Sequence, residues 1–256
     1  MERPVRVGVP STTLPIAGAS GKAPTAEYPT FQLGQLRSSA TIKTIASFEP
    51  DVLIVACFPR LIPRAIREIP ALAALNIHPS LLPAHRGPDP LFWIMRAGGA
   101  GCGVTIHELD VGLDTGAILA QRAILYPDGA GEPELEMRLA SVGAELAANV
   151  VEELASGECT KRPQDARTAS YESWPSVDDY AIDTNRPARH AWNFTRGAAG
   201  RRVPVRVDTD SGPIHVSDAL AFGERDERPV EPEPGQVIID FKDGWLLGRL
   251  SHDGGS

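Results

Sequence analysis

The chain has 256 residues, 42% of them hydrophobic, enough to bury one large core or a medium core with a small appended domain. Its formal net charge of −8 argues against a general nucleic-acid surface, which needs concentrated Lys and Arg. The acidity persists from Gly157 to Ser256, where 13 Lys and Arg face 17 Asp and Glu. Cys57, Cys102 and Cys159 form no CxxC pair and read as reduced thiols. Met1 to Gly8 lacks the apolar stretch of a signal peptide, and no apolar run approaches a membrane span. A cytoplasmic chain with no membrane partner is expected.

Val5–Val9 reads as a strand ending at Pro10-Ser11, and Thr12–Phe31, rich in Pro, Gly, Ser and Thr, as a long irregular segment. Ile42, Ile45 and Phe48 share a helical face within Ser38–Phe48, which Pro50 stops. The continuous apolar run Asp51–Cys57 predicts a strand covered on both faces. Ile62–Ile69 is a short helix candidate and Leu75–His78 a second buried strand. Pro90–Ala97 looks helical, and Gly103–Leu109 and Ile118–Leu125 read as strands around a turn at Gly112–Gly116. Pro133 opens a long helix with Leu135, Leu139, Val142, Leu146, Val150 and Leu154 at helical spacing, ending near Gly157.

This alternation predicts an α/β protein with a Rossmann-like, mostly parallel sheet. Lys161–Ser173, polar and containing Pro163, reads as a linker. Beyond it, Val203–Val207, Ile214–Val216, Gln236–Ile239 and Gly244–Leu247 suggest a small β-rich, barrel-like domain. The expected division is therefore a catalytic domain at 1–157, a linker at 158–173 and a β-rich domain at 174–256.

Polar residues gather where the strands end. Side chains two apart leave a strand on one face, so Asn76 and His78 point the same way. In an open α/β sheet ligands bind beyond the carboxyl ends of strands. Asn76 and His78 end one strand, Arg60, Leu61 and Ile62 follow another, and Asp114 lies in the turn after a third. Taken singly, each has an ordinary reading, as a strand-end cap or a common Asp-Thr-Gly turn. His78, His85, His107, Asp110 and Asp114 lack the HxxxH or HExxH spacing of a metal site, and His107 among apolar neighbours reads as a satisfied strand histidine. No Gly-x-Ser-x-Gly elbow exists, and Gly98-Gly99-Ala100-Gly101 precedes a strand rather than a helix, against a dinucleotide loop. The one basic cluster, Arg186, Arg189, Arg196, Arg201 and Arg202, reads as a solvated face.

The string Asn76-Ile77-His78-Pro79-Ser80-Leu81-Leu82-Pro83, then Arg86-Gly87, then Leu113-Asp114-Thr115-Gly116-Ala117-Ile118-Leu119 resembles the folate-dependent formyltransferase family. That family includes methionyl-tRNA, glycinamide ribonucleotide and sugar-amine formyltransferases. The resemblance is dense from Asp51 to Leu154 and looser from Tyr171 to Leu250, where Trp192-Asn193-Phe194 and Pro234-Gly235-Gln236-Val237-Ile238 resemble the C-terminal module of the methionyl-tRNA enzymes.

The resemblance implies 10-formyltetrahydrofolate as co-substrate and no metal. Asn76 would donate to the formyl oxygen and stabilise the tetrahedral oxyanion, His78 would relay protons, and Asp114 would polarise His78. Phe58 to Ile62, with Arg60 and Leu61 between, and Val111 to Gly112 would wall the pterin pocket, bordered by Ser80, Leu81, Leu82 and Pro83. A carboxylate beside His78 favours the charged imidazole, so a raised His78 pKa and a pH optimum on the alkaline side are expected.

The family opens with a strand–helix–strand unit ahead of the strand that Val5–Val9 resembles. A chain starting there would keep donor chemistry with altered acceptor recognition. It would also expose a sheet edge to be covered by Thr12–Phe31 or by a second subunit, which makes a homodimer an expected partner. Together with the acidic charge, this favours a small primary amine, such as an amino sugar or biosynthetic intermediate, as acceptor. A methionyl-tRNA formyltransferase of reduced size, a 10-formyltetrahydrofolate hydrolase and a non-catalytic folate-binding subunit are the alternatives.

Overall fold

The computed structural model describes residues 33–58, 60–229 and 231–251, and the backbone alone of 9–10 and 30–31. The readings of Val5–Val9 and Thr12–Phe31 lie outside these residues, apart from the short parallel pair β1 (Val9–Pro10) and β2 (Thr30–Phe31). Two compact units interleave along the chain. The first comprises Met1–Pro88, Gly103–Ala123 and Ala140–Tyr171; the second comprises Asp89–Cys102, Ile124–Leu139 and Glu172–Ser256. The units are thus not the contiguous 1–157 and 174–256 that the sequence suggested.

In the first unit, α1 (Ser39–Ala46) starts where the Ser38 hydroxyl accepts the Thr41 N–H at 3.1 Å, satisfying a donor the helix cannot. Its buried Ile45 packs with Ile62 and with Ile66 of α2 (Arg64–Arg67), and Phe58 lies against this cluster. The sheet runs β3 (Val52–Ala56), β4 (Ala73–His78), β5 (Gly103–Glu108), β6 (Ile118–Ala123). Only β3–β4 is parallel; β4–β5 and β5–β6 are antiparallel, so this is a mixed sheet of the α/β class rather than a mostly parallel one. Burial explains the misreading: β5 is buried on both faces, the signature that hydrophobic continuity shares with parallel strands. The opposite error occurs at β3, where Ile54 is 40% exposed and the strand is not covered on both faces.

The helix α4 (Glu132–Ser156) buries Leu135, Leu139, Leu146 and Val150 at the expected spacing. Gly143 lets it approach the sheet closely, since a Cβ there would lie 2.8 Å from Ile77 Cγ2. The stretch read as a linker is instead sewn onto this unit. Arg162 and Ile118 exchange backbone bonds of 2.8 Å, and the Ser170 N–H donates to Pro83 O at 3.1 Å. These main-chain bonds, and those of the Gln164 amide to Asp114 O and Gly116 O, fix the stretch in place.

The second unit contains α3 (Pro90–Arg96), β7 (Ala181–Asp183), α5 (Ala188–Ala198), β8 (Val205–Thr209), β9 (Gly212–Glu224), β10 (Gln236–Asp240) and β11 (Gly244–Leu250). Its five strands follow the order β10-β11-β9-β8-β7, antiparallel except for β7–β8. The amphipathic α5 buries Ala188, Ala191, Phe194 and Ala198 and packs on β9 and β11. Arg201 does not lie on a solvated face. It is buried between Asp89 and Glu132 with its guanidinium over the Phe92 ring. Among the described residues, no helix is long and apolar enough to cross a membrane.

Candidate active site

The antiparallel register of β4 and β5 sets Asn76 directly opposite His107, and the turn before β6 brings Asp114 onto both. Asn76 Nδ2 lies 3.1 Å from His107 Nε2 and 3.5 Å from Asp114 Oδ1. His78 Nδ1 and His107 Nε2 stand 3.6 and 3.7 Å from the same Asp114 oxygen. Asn76, His78 and Asp114 therefore converge, as the resemblance implied, with His107 as a fourth member. His107 is 1% exposed, and its Nδ1 bonds Glu108 O at 2.8 Å, so as a strand histidine it is satisfied. It also reaches the site, which the sequence reading did not foresee. The signal available was a histidine on the face of β5 that also carries Thr105.

Hydrogen-bond chemistry fixes the state of both rings. A carbonyl can only accept, so His107 Nδ1 carries hydrogen and, in the neutral ring, Nε2 accepts from Asn76 Nδ2. His78 Nε2 donates to His85 O at 2.9 Å, leaving the Nδ1 lone pair facing Asp114. The second Asn76 N–H makes only a long 3.5 Å bond to Asp114 Oδ1, weaker than the bond to His107.

Asp114 sits in the left-handed region at φ 57°, where Asp is among the few side chains tolerated. Its Oδ2 accepts the Gly87 N–H at 2.9 Å. Burial pushes this carboxyl up, but the neighbouring His107 and His78 rings and the Gly87 N–H together hold it below the ordinary range. His78 corrects the sequence reading. Burial of the imidazole outweighs the attraction of Asp114, so its pKa is lowered rather than raised. At neutral pH the pair is a neutral imidazole beside a carboxylate, not an ion pair. The His78 ring, titrated by NMR, is accordingly expected to protonate only below pH 6.5; a midpoint above that value would restore the ion pair.

A cavity opens over this floor. Asn76, His107 and Asp114 line it with Val55, Phe58, Arg60, Leu61, Ile62, Arg67, Leu109, Asp110, Gly112 and Leu113. Asp110 shapes that wall by accepting the Gly112 N–H at 3.0 Å and the Thr115 hydroxyl at 2.7 Å. Val111 is 85% exposed. Ser80 and Leu82 are fully buried, and the Ser80–Pro83 stretch is occupied by the sheet instead. Thr105 Oγ1 donates to Ser80 O at 2.6 Å and accepts from Leu82 N at 3.1 Å, while Gln121 Nε2 donates to Leu82 O at 2.8 Å. That packing positions the loop whose His85 carbonyl holds His78.

His78, His107 and Asp114 each offer a metal-ligating atom, all within 4.8 Å, a grouping made by strand pairing rather than by motif spacing. What the site offers from its own residues is an amide donor and a buried carboxylate lining a cavity, with the His78 imidazole beside that carboxylate. That set suits proton transfer beside a carbonyl on which negative charge develops.

Residues 13–151 match the formyl transferase family model. The chain is 39% identical over 250 residues to the methionyl-tRNA formyltransferase of Chloroflexus aurantiacus, an alignment covering 86% of this chain and 78% of that one. It is 35% identical over 173 residues to the Pelobacter propionicus methionyl-tRNA formyltransferase, covering 68% of this chain; it spans about half, 54%, of that relative's length. Among solved structures it is similar in fold to HypX from Aquifex aeolicus, with a TM-score of 0.62, 18% identity, and coverage of 87% of this chain and 40% of that one. With more than half the chain matched, and with Asn76, His78 and Asp114 brought together within it, the chain belongs to the formyl transferase family.

Proposed function

We infer that this chain transfers a formyl group from 10-formyltetrahydrofolate to a primary amine. The observation that carries the reading is the meeting of the Asn76 amide, the His78 ring and the Asp114 carboxylate, with Asn76 and Asp114 lining one cavity. Val55, Phe58, Leu61 and Leu113 in the cavity lining suit a flat heteroaromatic ring, and Arg60, Arg67 and Asp110 add polar groups around it. When bound, the donor supplies a formyl carbon whose bond to folate nitrogen breaks as a bond to the amine forms. The Asn76 N–H that makes the long bond to Asp114 stabilises negative charge developing on the formyl oxygen. The proton lost by the amine passes by way of Asp114 to His78 Nδ1, where the carboxylate stabilises the imidazolium, and is then delivered to the departing folate nitrogen.

His107 holds the Asn76 amide in the donating orientation. Replacing it with leucine is expected to lower kcat about tenfold or more while changing the donor KM little, since one oriented donor is lost. Steady-state kinetics check this, and unchanged kcat would mean that Asn76 orients itself.

For the acceptor, the net charge of −8 and the pairing of the α5-region arginines support a small amine: Arg189 with Asp128, Arg196 with Asp218, and Arg201 with Asp89 and Glu132. Methionyl-tRNA is the second reading, favoured by the names of the relatives aligned over most of the chain. The test is a screen of primary amines and methionyl-tRNA with 10-formyltetrahydrofolate, following product mass and tetrahydrofolate release. Formylated small amine supports the first reading; formylated tRNA whose binding weakens steeply with salt supports the second. Tetrahydrofolate released without amine would identify a hydrolase, and folate binding without turnover a binding subunit.

A further inference from the structure

We propose that Gln164 is a positioning residue for Asp114, its single amide locking together the two loops that hold the Asp114 carboxylate. Its Nε2 donates to Asp114 O at 2.9 Å and to Gly116 O at 2.8 Å. Its Oε1 accepts from Arg86 Nε at 3.1 Å and from an Arg86 terminal nitrogen at 2.7 Å. Both hydrogens and both lone pairs of the amide are therefore committed.

Arg86 lies between the two backbone groups that serve the site. The His85 carbonyl receives His78 Nε2, and the Gly87 N–H donates to Asp114 Oδ2. One side chain thus joins the loop that contributes the carboxylate to the loop that contacts both the carboxylate and its imidazole.

The backbone shows why such a lock is needed. His85 and Asp114 both have positive φ, at 57°, a region that L side chains rarely adopt without surrounding contacts to hold them. Gln164 holds the Asp114 end by its own carbonyl and the His85–Gly87 end through Arg86. The segment carrying Gln164 is itself anchored. Arg162 bonds Ile118 in both directions at 2.8 Å, the Arg86 N–H donates to Ser170 O at 3.2 Å, and the His85 N–H donates to Ser170 Oγ at 2.9 Å.

A purely structural strap would need only these backbone bonds. The side-chain amide adds contacts to the two turns that aim the reacting groups, and to no others among its described hydrogen bonds.

The proposal rests on the reading that Asp114 serves proton transfer, so its test pairs an activity arm with one that needs no turnover. Gln164→Ala and Gln164→Glu are made in the full chain and assayed with 10-formyltetrahydrofolate and the amine selected by the screen. The glutamate keeps the acceptor facing Arg86 but turns the donor facing two carbonyls into an acceptor. Both variants are expected to lose about tenfold or more in kcat, the scale of a small misplacement of reacting groups, with the donor KM within about threefold. In an Asp114→Asn background, Gln164→Ala is expected to add almost nothing.

The second arm is NMR titration of the His78 ring without ligand. The charged groups facing that ring are Asp114, which raises its pKa, and the rings of His107 and His85, which lower it. Drift of Asp114 should therefore move the His78 midpoint downward in Gln164→Ala, in the same direction as in Asp114→Asn. Should Gln164→Ala fail to fold, Arg86→Met strips the acceptor side of the lock and should move both readouts the same way by less. An unmoved His78 titration, full activity in Gln164→Glu, or an equal loss in both backgrounds would overturn the proposal. If no amine supports turnover, the titration alone still decides whether Gln164 positions Asp114.

Discussion

Asp114→Asn is expected to lower formyl transfer by about a hundredfold or more in kcat while leaving the fold intact. Asparagine is the informative replacement because it too tolerates the left-handed backbone at φ 57° and can still accept the Gly87 N–H. What it removes is the charge. In the native site both imidazoles stand within 3.7 Å of one carboxylate oxygen, so a proton arriving on His78 is stabilised only while that oxygen is anionic. Without it, burial alone governs the ring, which then resists protonation further.

The acid limb of the pH–rate profile should therefore shift. In the native chain it is expected below the ordinary imidazole range, because the neutral, proton-accepting imidazole is lost only as pH falls through a depressed pKa. In Asp114→Asn it should move lower still, on a much reduced plateau. Near-normal turnover in the asparagine variant would remove Asp114 from the proton path.

Gly116→Ala is expected to disrupt the site from behind. A Cβ at this position would lie 1.9 Å from the carbonyl oxygen of Glu108 and 2.7 Å from its carbon, with backbone on both sides of the clash. Backbone cannot rotate away as a flexible side chain can, so the turn after β5 must open. Two bonds of the site are then lost together, because Glu108 O holds His107 Nδ1 and Gly116 O accepts from Gln164. Overpacking of this kind costs about 3 kcal/mol, which for a chain of this size lowers Tm by roughly 6–12 °C. Thermal unfolding by circular dichroism measures it, and a Tm within about 2 °C of the native value would mean that the turn absorbs the methyl group freely.

The motif residues were legible because strand periodicity is local: Asn76 and His78, two apart, share a face however the rest folds. Asp114 was legible only through its resemblance to a family string, since nothing in a Leu-Asp-Thr-Gly turn says what it will face. His107 was visible as a residue but not as a member of the site. Its place opposite Asn76 is set by the antiparallel register of two strands whose continuous burial looks the same in either direction. The same ambiguity made the sheet appear mostly parallel. Gln164 was hidden inside a polar stretch whose composition resembles that of a free linker. Helix α5 went unread although Ala188, Ala191, Phe194 and Ala198 carried its spacing, because small residues and intervening arginines weaken the contrast between its faces.

By itself the sequence determined the class of the fold, the long helix, the strand-end location of the amide and imidazole, and the family string that implies one-carbon chemistry. Each of these is encoded within a few consecutive residues, where propensity, period and turn chemistry act. The tertiary structure alone decided strand direction, the addition of His107, the lock formed by Gln164, and the sign of the His78 shift. Those depend on how much water is excluded and which distant groups take its place. An isolated His–Asp pairing predicts a charged ring; only the burial of that pair shows that the cost of removing the charge from water is larger.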